Sequence, residues 1–350
     1  MPLISSQNLK EIASALFQAW DTPPDEADWV AELLVASNLA GHESHGVLRL
    51  PDYLKSIEEG EYSPGAPVEV VKEAAAMAIL DGNWNFGQVV AREVADLAIE
   101  KAKAGAVAVV TAHNVGHVGR LADYCAMAAN ANCIGIMSTN GHGADQDVAP
   151  YGGTDRRLPT NPIGFGFPTG KGFNFILDMT TSVVATGKLR FAQNSGQSIP
   201  EGWILDADGN HTTDPKDFFG PPIGCSLPLG GYKGFGMGLV LDVLSGALNE
   251  AGCTRGEPCR IGNAIYFQAI NIGAFTTMEE FVFQVDRLID FVKASPLAEG
   301  FDEIRIPGEA SARRATERKN EGIPIDDVTW QSIQEAAGKR GVTHPILASS

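Results

Sequence analysis

His45 stands beside a hydroxyl, Ser44, and four residues before Arg49, with Tyr53 four residues further on. An imidazole can exchange a proton near neutral pH, and a guanidinium grips a carboxylate in a bidentate fork. Together they suit acid–base work on a substrate that carries a carboxylate. If the segment were helical throughout, the spacing would put His45, Arg49 and Tyr53 on one face. Pro51 complicates this, because proline belongs at a helix start. A cap followed by a solvated helix face accounts for the same residues about equally well.

Four other stretches offer chemistry. His113-Asn114-Val115-Gly116-His117-Val118-Gly119 reads as a polar turn between a strand and a helix, where backbone N–H groups and a helix N-terminus can receive an anion or cofactor. In the Gly- and Pro-rich run from Asn140 onward, Asn140 and Asn161 could hold polar atoms of a ligand. Asp178, followed by Met179 and Thr180, ends an apolar run and could orient a histidine or a ribose hydroxyl. An ordinary helix cap explains that Asp more simply. Gly230-Gly231-Tyr232-Lys233-Gly234 opens a helix with glycines and a lysine, a reasonable phosphate cradle. It matches neither a Walker A motif nor G-x-G-x-x-G, so a dinucleotide bound here would not be held in the Rossmann manner. A zinc or iron site for a hydrolase would need His42 with His45, or His113 with His117, plus Glu43 or Asp178. Helical i, i+4 geometry for the second pair conflicts with Gly116 and the preceding strand, and no metal is expected.

The elements that must position these residues alternate between helix and strand. Leu9, Ile12, Ala13, Leu16, Phe17 and Trp20 make one helical stripe. A second helix follows, with Thr22 as its cap, Pro at its first position and Gly41 at its end. Strands are predicted over 76–81, 106–111, 133–139, 173–177, 264–275 and near 304–306. Helices are predicted over 88–104, 121–131, 181–193, 235–250, 278–294, 311–320 and 327–339. Residues 140–172 and 194–231 read as long irregular loops, which in a compact protein usually carry function. The alternation points to an α/β protein.

At 350 residues the chain has room for two or three domains at ~150 residues each, and 44% hydrophobic residues suffice for a real core. A net charge of −17 repels phosphate backbones and anionic lipid, so neither nucleic acid nor a membrane surface is an expected partner. Positive charge must then be concentrated locally to hold an anionic substrate. No signal peptide and no apolar run of membrane-spanning length is visible. Five scattered cysteines without metal or redox spacing fit reduced thiols in the cytoplasm.

The stretches, taken in order, resemble the type 2 malate/L-lactate dehydrogenase family. G-H-x-S-H-G-x-x-R-x-x-x-Y is present as Gly41 to Arg49 and Tyr53, and H-N-x-G-H-x-G as His113 to Gly119. V-A-P-x-G-G…T-N-P runs from Val148 to Pro162, D-M-x-T-S-x-x-A-x-G-K matches Asp178 to Lys188, and I-P-x-G-W-x-x-D-x-x-G…T-T-D-P runs from Ile199 to Pro215. G-G-Y-K-G follows at Gly230 to Gly234, and P-G-E at Pro307 to Glu309. One departure is Leu158-Pro159-Thr160, where the family has L-G-T. Proline there removes an N–H, so that peptide has no hydrogen to donate to a ligand.

The resemblance implies an NADH- or NADPH-dependent oxidoreductase acting on a small 2-hydroxy or 2-oxo acid, or on a cyclic imino acid on the same scaffold. It implies a non-Rossmann cofactor-binding domain with a mostly antiparallel sheet, spanning 73–284. A helical domain would combine 1–72 with 285–350, and homodimers would share their active sites. His45 would be the proton donor and acceptor, with Ser44 and Asp178 as its relay. Arg49, with Tyr53 and Asn140, would bind substrate. His117 would contact substrate or nicotinamide, and in some members takes the acid–base role itself. Cofactor contacts would come from Gly119, Asn161, Asp178, Met179, Thr180, Gly231, Lys233, Gly234, Pro307, Gly308 and Glu309.

Overall fold

The structure, a computed structural model, describes residues 1–143, 146–257 and 259–348. After a two-residue strand β1 (Leu3–Ile4), Ser5 caps α1 (Ser6–Ala19) by accepting the Asn8 amide at 3.2 Å. The stripe from Leu9 to Trp20 is buried as its spacing predicts. α2 (Pro24–Leu39) starts at Pro24, but Pro23 occupies the cap position and Thr22 Oγ1 is buried without a partner. A cap needs a side-chain oxygen aimed at the first free amides, and two consecutive prolines put Thr22 one residue too early.

Two 3-10 turns, Glu43–His45 and Val47–Arg49, lead into α3 (Leu50–Glu58), which has Pro51 in its first turn. The expected single helical face through His45, Arg49 and Tyr53 is therefore broken by Gly46, which is extended. Next come β2 (Glu69–Ala74), β3 (Met77–Asp81), α4 (Gly87–Gly105), β4 (Val107–Val115), α5 (Ala122–Asn130) and β5 (Cys133–Asn140). The region read as irregular after Asn140 contains a strand, β6 (Ile163–Phe167), which pairs with β7 (Phe175–Met179). Its Ile-Gly-Phe-Gly-Phe pattern leaves one face without side chains, because Gly166 lies beneath α5. A Cβ there would stand 2.5 Å from the Cys125 carbonyl oxygen.

α6 (Thr186–Asn194) begins five residues later than predicted. The second loop region folds a small sheet of β8 (Ile204–Leu205), β9 (His211–Thr212) and β10 (Cys225–Ser226), with a one-turn α7 (Lys216–Phe219). α8 (Tyr232–Asp242) widens into a π-helical turn, Val243–Ala247. β11 (Asn263–Asn271), α9 (Met278–Lys293), α10 (Glu309–Glu321), β12 (Ile323–Pro324), α11 (Asp327–Arg340) and α12 (Pro345–Ala348) complete the chain. Residues 304–306 form no strand: the Ile306 amide is instead accepted by the Glu309 carboxylate, the start of α10.

The main sheet has the order β2-β3-β4-β11-β5-β6-β7, and of its six pairings only β3 with β4 is parallel. That parallel pair needs a crossover, which α4 supplies. Side chains alternate across the sheet, so Val110, Phe267 and Met137 face the α4–α5 layer. On the opposite face Ser138 meets Ser245 at 2.8 Å and Asn140 meets Asp242 at 2.8 Å. A separate apolar cluster joins α1, α2 and α3 to Ile323, Ile325, Trp330 and Ile333, and the antiparallel pair of β1 with β12 ties the two chain ends together.

Phe86, fully buried just before α4, links that cluster to the rings near the candidate site. It packs edge-on against Phe17 at 5.4 Å and Tyr62 at 5.6 Å and lies 6.1 Å from Tyr53. Phe86→Ala is expected to cost about 3–5 kcal/mol, read from denaturant unfolding, through lost burial and the cavity it leaves. A loss below ~1 kcal/mol would mean that the rings reach their places without it.

Candidate active site

The site forms where the turns before α3, the start of α4 and the β4–α5 connection meet. Asn38 of α2 shapes the first: its Oδ1 accepts the Val47 amide at 2.8 Å and lies where a side chain on Gly46 would be. Ser44 then serves two neighbours. Its hydroxyl lies 3.1 Å from His45 Nδ1, and its carbonyl accepts Arg49 Nε at 2.9 Å. Gly187 of α6 packs on Ser44 so closely that a Cβ there would lie 2.8 Å from the serine Cβ. Arg49 also faces Asp52 at 3.4 Å, a partly exposed pair of small energetic weight.

Across the site, the His117 ring lies 5.8 Å from that of His45, nearly parallel at 21°. Tyr53 OH is 2.6 Å from His117 Nδ1, Gln88 Nε2 donates to Tyr53 OH at 2.9 Å, and the His117 amide donates to Tyr62 OH at 2.9 Å. Tyr53, named above as a substrate contact, is thus a buried partner of His117. Gln88 and Tyr62 were not singled out from sequence, since neither stands in a polar or Gly-rich motif.

The surrounding protein strips water from both imidazoles, and nearby cations oppose a further positive charge. Burial first, then Arg49, His42 and Arg120, lower the His45 pKa to about 3. Burial, Arg49 and His45 hold His117 well below its usual range. Both rings are therefore neutral at pH 7. Burial likewise pushes the Tyr53 phenol up, so it keeps its proton.

Asp178 lies on β7, opposite Gly164. Its Oδ2 accepts the Ala122 amide at 2.9 Å, at the N-terminus of α5, with Arg120 and Asp123 close by. Burial, helped by Asp123, outweighs the backbone amides and Arg120 and raises its pKa to about 6. Among the described residues it makes no hydrogen bond to Ser44 or His45, so the hydrogen-bonded relay extends only from His45 to Ser44. Arg120, paired with Asp123 on the same turn, is a site residue that sequence reading passed over. Its signal was its place directly after Gly119, an arginine opening a helix in an acidic chain.

The Asn140 side chain is occupied within the fold: it donates to Asp242 and to the Gly252 carbonyl, and accepts the His142 amide. His113, at the far end of the motif it shares with His117, lies in β4 rather than in a turn and faces Asp81 at 3.6 Å. Among the described residues no three His, Cys, Asp or Glu side chains are grouped to hold a metal.

A second constellation lies beside the first. Asn161 is buried in a left-handed conformation, donates to the Gly238 carbonyl at 2.9 Å, and leaves its Oδ1 buried without a partner. Thr181 Oγ1 bonds the carbonyls of Thr160 and Asn161, joining that turn to the end of β7, where Met179 and Thr180 lie. Gly231 caps α8 with φ +64, and Gly234 is pressed against the Leu229 carbonyl. Lys233 is exposed and has no carboxylate partner among the described residues. Pro307 accepts the Ile176 amide of β7 at 3.2 Å, and a side chain on Gly308 would strike the Asn174 carbonyl. Glu309 pairs with Lys293 at 2.5 Å. Pro307 and Gly308 thus lie along residues 174–176 near the start of β7, while Asp178 and Met179 lie toward its other end and Gly119 sits at Gln88.

The low proton affinity of His45 carries a pH signature. Unfolded, His45 titrates near 6.5; folded, near 3, so between those values only the unfolded chain binds the proton. Stability linked to His45 is complete above about pH 6.5 and falls as pH drops toward 3, by up to about 1.4 kcal/mol per unit. Unfolding free energies measured from pH 7 to 4 should carry this slope together with that of His117, which adds to it, and that of Asp178, which opposes it. His45→Asn should reduce it by about one proton's worth, and an unchanged slope would place the His45 pKa near its ordinary value.

A family model described as malate/L-lactate dehydrogenase matches residues 4–334. The chain is 36% identical to the L-sulfolactate dehydrogenase of Methanocaldococcus jannaschii, over 97% of this chain and 98% of that protein. It is 32% identical to the L-lactate dehydrogenase of Cupriavidus necator, over 98% and 99%. The solved malate dehydrogenase of Pyrococcus horikoshii superposes with a TM-score of 0.88 at 33% identity, covering 98% of this chain and 96% of that one. Coverage is near-complete on both sides, so the likeness spans the whole chain. The chain belongs to the malate/L-lactate dehydrogenase family and is an oxidoreductase acting on the CH–OH group of a hydroxy acid.

Proposed function

We propose that this enzyme interconverts a small 2-hydroxy acid and its 2-oxo acid with NAD or NADP, using His45 to move the hydroxyl proton and Arg49 to hold the carboxylate. The observation that carries the reading is the grip of Ser44 on both groups, through its hydroxyl and its carbonyl. One short segment thereby sets the distance between proton carrier and carboxylate clamp, as a substrate with both groups on adjacent carbons requires.

A neutral His45 is ready to accept a proton, which suits alcohol oxidation. In the reverse direction the acid must bind first. Its carboxylate offsets the Arg49 charge, one of the causes that depress His45, and raises the proton affinity of the imidazole. His45 then returns the proton to the oxygen, while Arg49 offsets the growing charge. His117, against Tyr53, would face the same oxygen from the other side. Asp178, beneath the Gly119–Leu121 turn, holds that turn in place rather than touching the proton relay.

The second constellation fits a nicotinamide dinucleotide. The orphaned Asn161 Oδ1 needs a donor, the unpaired Lys233 and the α8 N-terminus suit a diphosphate, and Pro307–Glu309 with Met179 and Thr180 flank the β7 edge. When bound, the cofactor supplies or accepts the hydride at C2 of the acid. In this reading 73–284 is a non-Rossmann cofactor domain, and 1–72 with 285–350 is the helical domain. A homodimer fits the exposed apolar side chains of α8 and α9, among them Met237, Val240, Leu288 and Phe291. A cytoplasmic setting fits five free cysteines. No helix of the described residues is long and apolar enough to cross a membrane.

Absorbance of the reduced nicotinamide tests the reaction. The panel holds pyruvate, oxaloacetate, 2-oxoglutarate, hydroxypyruvate, phenylpyruvate, sulfopyruvate and a cyclic imino acid, each with NADH and NADPH. Oxidation is expected with an oxo acid, and the responding pair names both acid and cofactor. Oxidation by the imino acid alone would replace the C=O substrate with C=N. His45→Ala should lower kcat by about 10²–10⁴-fold. Turnover near wild type would move the proton-carrying role to His117.

A further inference from the structure

The buried network behind His117 contains a residue that motif reading passes over. Gln88, in the first turn of α4, is 1% exposed, and its backbone carbonyl is fixed by Trp29 Nε1 at 2.8 Å. Its side-chain Nε2 donates to Tyr53 OH at 2.9 Å, and that oxygen lies 2.6 Å from His117 Nδ1. A phenol has one hydrogen to give. With its oxygen already accepting from Gln88, the Tyr53 hydrogen has His117 Nδ1 as its acceptor.

We propose that Gln88 is a positioning residue that sets the tautomer of His117: through Tyr53 it makes Nδ1 an acceptor and leaves the ring hydrogen on Nε2. The amide presents Nε2 to Tyr53 OH at 2.9 Å, while its oxygen points away and is buried without a donor. A neutral Tyr53 and a neutral His117 agree with this arrangement.

The consequence for chemistry rests on the reading above, in which His117 faces the substrate oxygen. An Nε2–H imidazole can donate a hydrogen bond to a carbonyl oxygen but has no lone pair there to accept the proton of a hydroxyl. His117 is thereby committed to polarising the oxygen, and proton acceptance falls to His45. The two imidazoles, stacked at 5.8 Å, divide the work because only one of them is held by a tyrosine.

The test is the nitrogen spectrum of ¹⁵N-histidine-labelled enzyme, with the His117 signals identified by their loss in His117→Asn. The wild type should show a protonated, pyrrole-type Nε2 and a pyridine-type Nδ1. Gln88→Leu and the more shape-conserving Gln88→Met should draw both nitrogens toward averaged values, as should Tyr53→Phe. In steady state the Gln88 variants should lose about tenfold in kcat, with KM for the acid within about twofold, because the oxygen-polarising interaction strengthens toward the transition state. A wild-type Nδ1–H, or His117 nitrogens unmoved in folded Gln88 variants, would overturn the assignment. The spectrum needs no turnover. Failure of every acid in the panel would therefore sink the functional reading while still deciding the tautomer.

Discussion

The site depends on placing a cation beside imidazoles that must not themselves be charged. Ser44 is where that constraint is met. Its hydroxyl takes one face of His45 while its carbonyl takes the guanidinium of Arg49, so the two groups share a support without touching each other through a proton. Burial and the Arg49 charge then act in the same direction, and both His45 and His117 remain neutral at pH 7. In the proposed reaction, a carboxylate on Arg49 would raise the proton affinity of His45, coupling substrate binding to protonation without any moving part.

The rest of the fold can be read as support for that arrangement. Asn38 forms the turn that carries Ser44, and Gly187 closes over it from α6. The apolar cluster around Phe86 fixes the start of α4, hence Gln88, hence Tyr53. Asp178 reaches from the edge strand to hold the turn that follows His117. Keeping a buried carboxyl there costs stability once it ionises. With its pKa raised to about 6, its contribution is fullest below about pH 4 and declines as pH rises through 6. That is a stability cost that accompanies a fixed turn; Arg120 offsets part of it, while Asp123 adds to it.

Much of this was legible in the residues. Long helices with a clear apolar stripe, such as α1, α4 and α11, fall where their periodicity puts them, because burial of one face decides a helix locally. The short strands were not. β6 alternates glycine with bulky residues because α5 lies against it, and no window of sequence contains α5's distance from β6. β1 and β12 are two residues each and exist only as each other's partner. Residues 304–306, apolar and alternating, lack a partner strand and so form none.

For the site, the sequence by itself offered the candidate groups: an imidazole next to a hydroxyl, an arginine four residues on, a second histidine in a Gly-containing motif, and a lysine at a helix start. Those are properties of side-chain chemistry and short spacing, which survive without coordinates. Only the tertiary structure decided what each group is bonded to. It bonded Tyr53 to His117, occupied the Asn140 side chain within the fold, turned Asp178 toward α5, and brought in Gln88, Tyr62 and Arg120. Hydrogen-bond partners, water exclusion and therefore proton affinities come from elements far apart in the chain. No local pattern of residues encodes them.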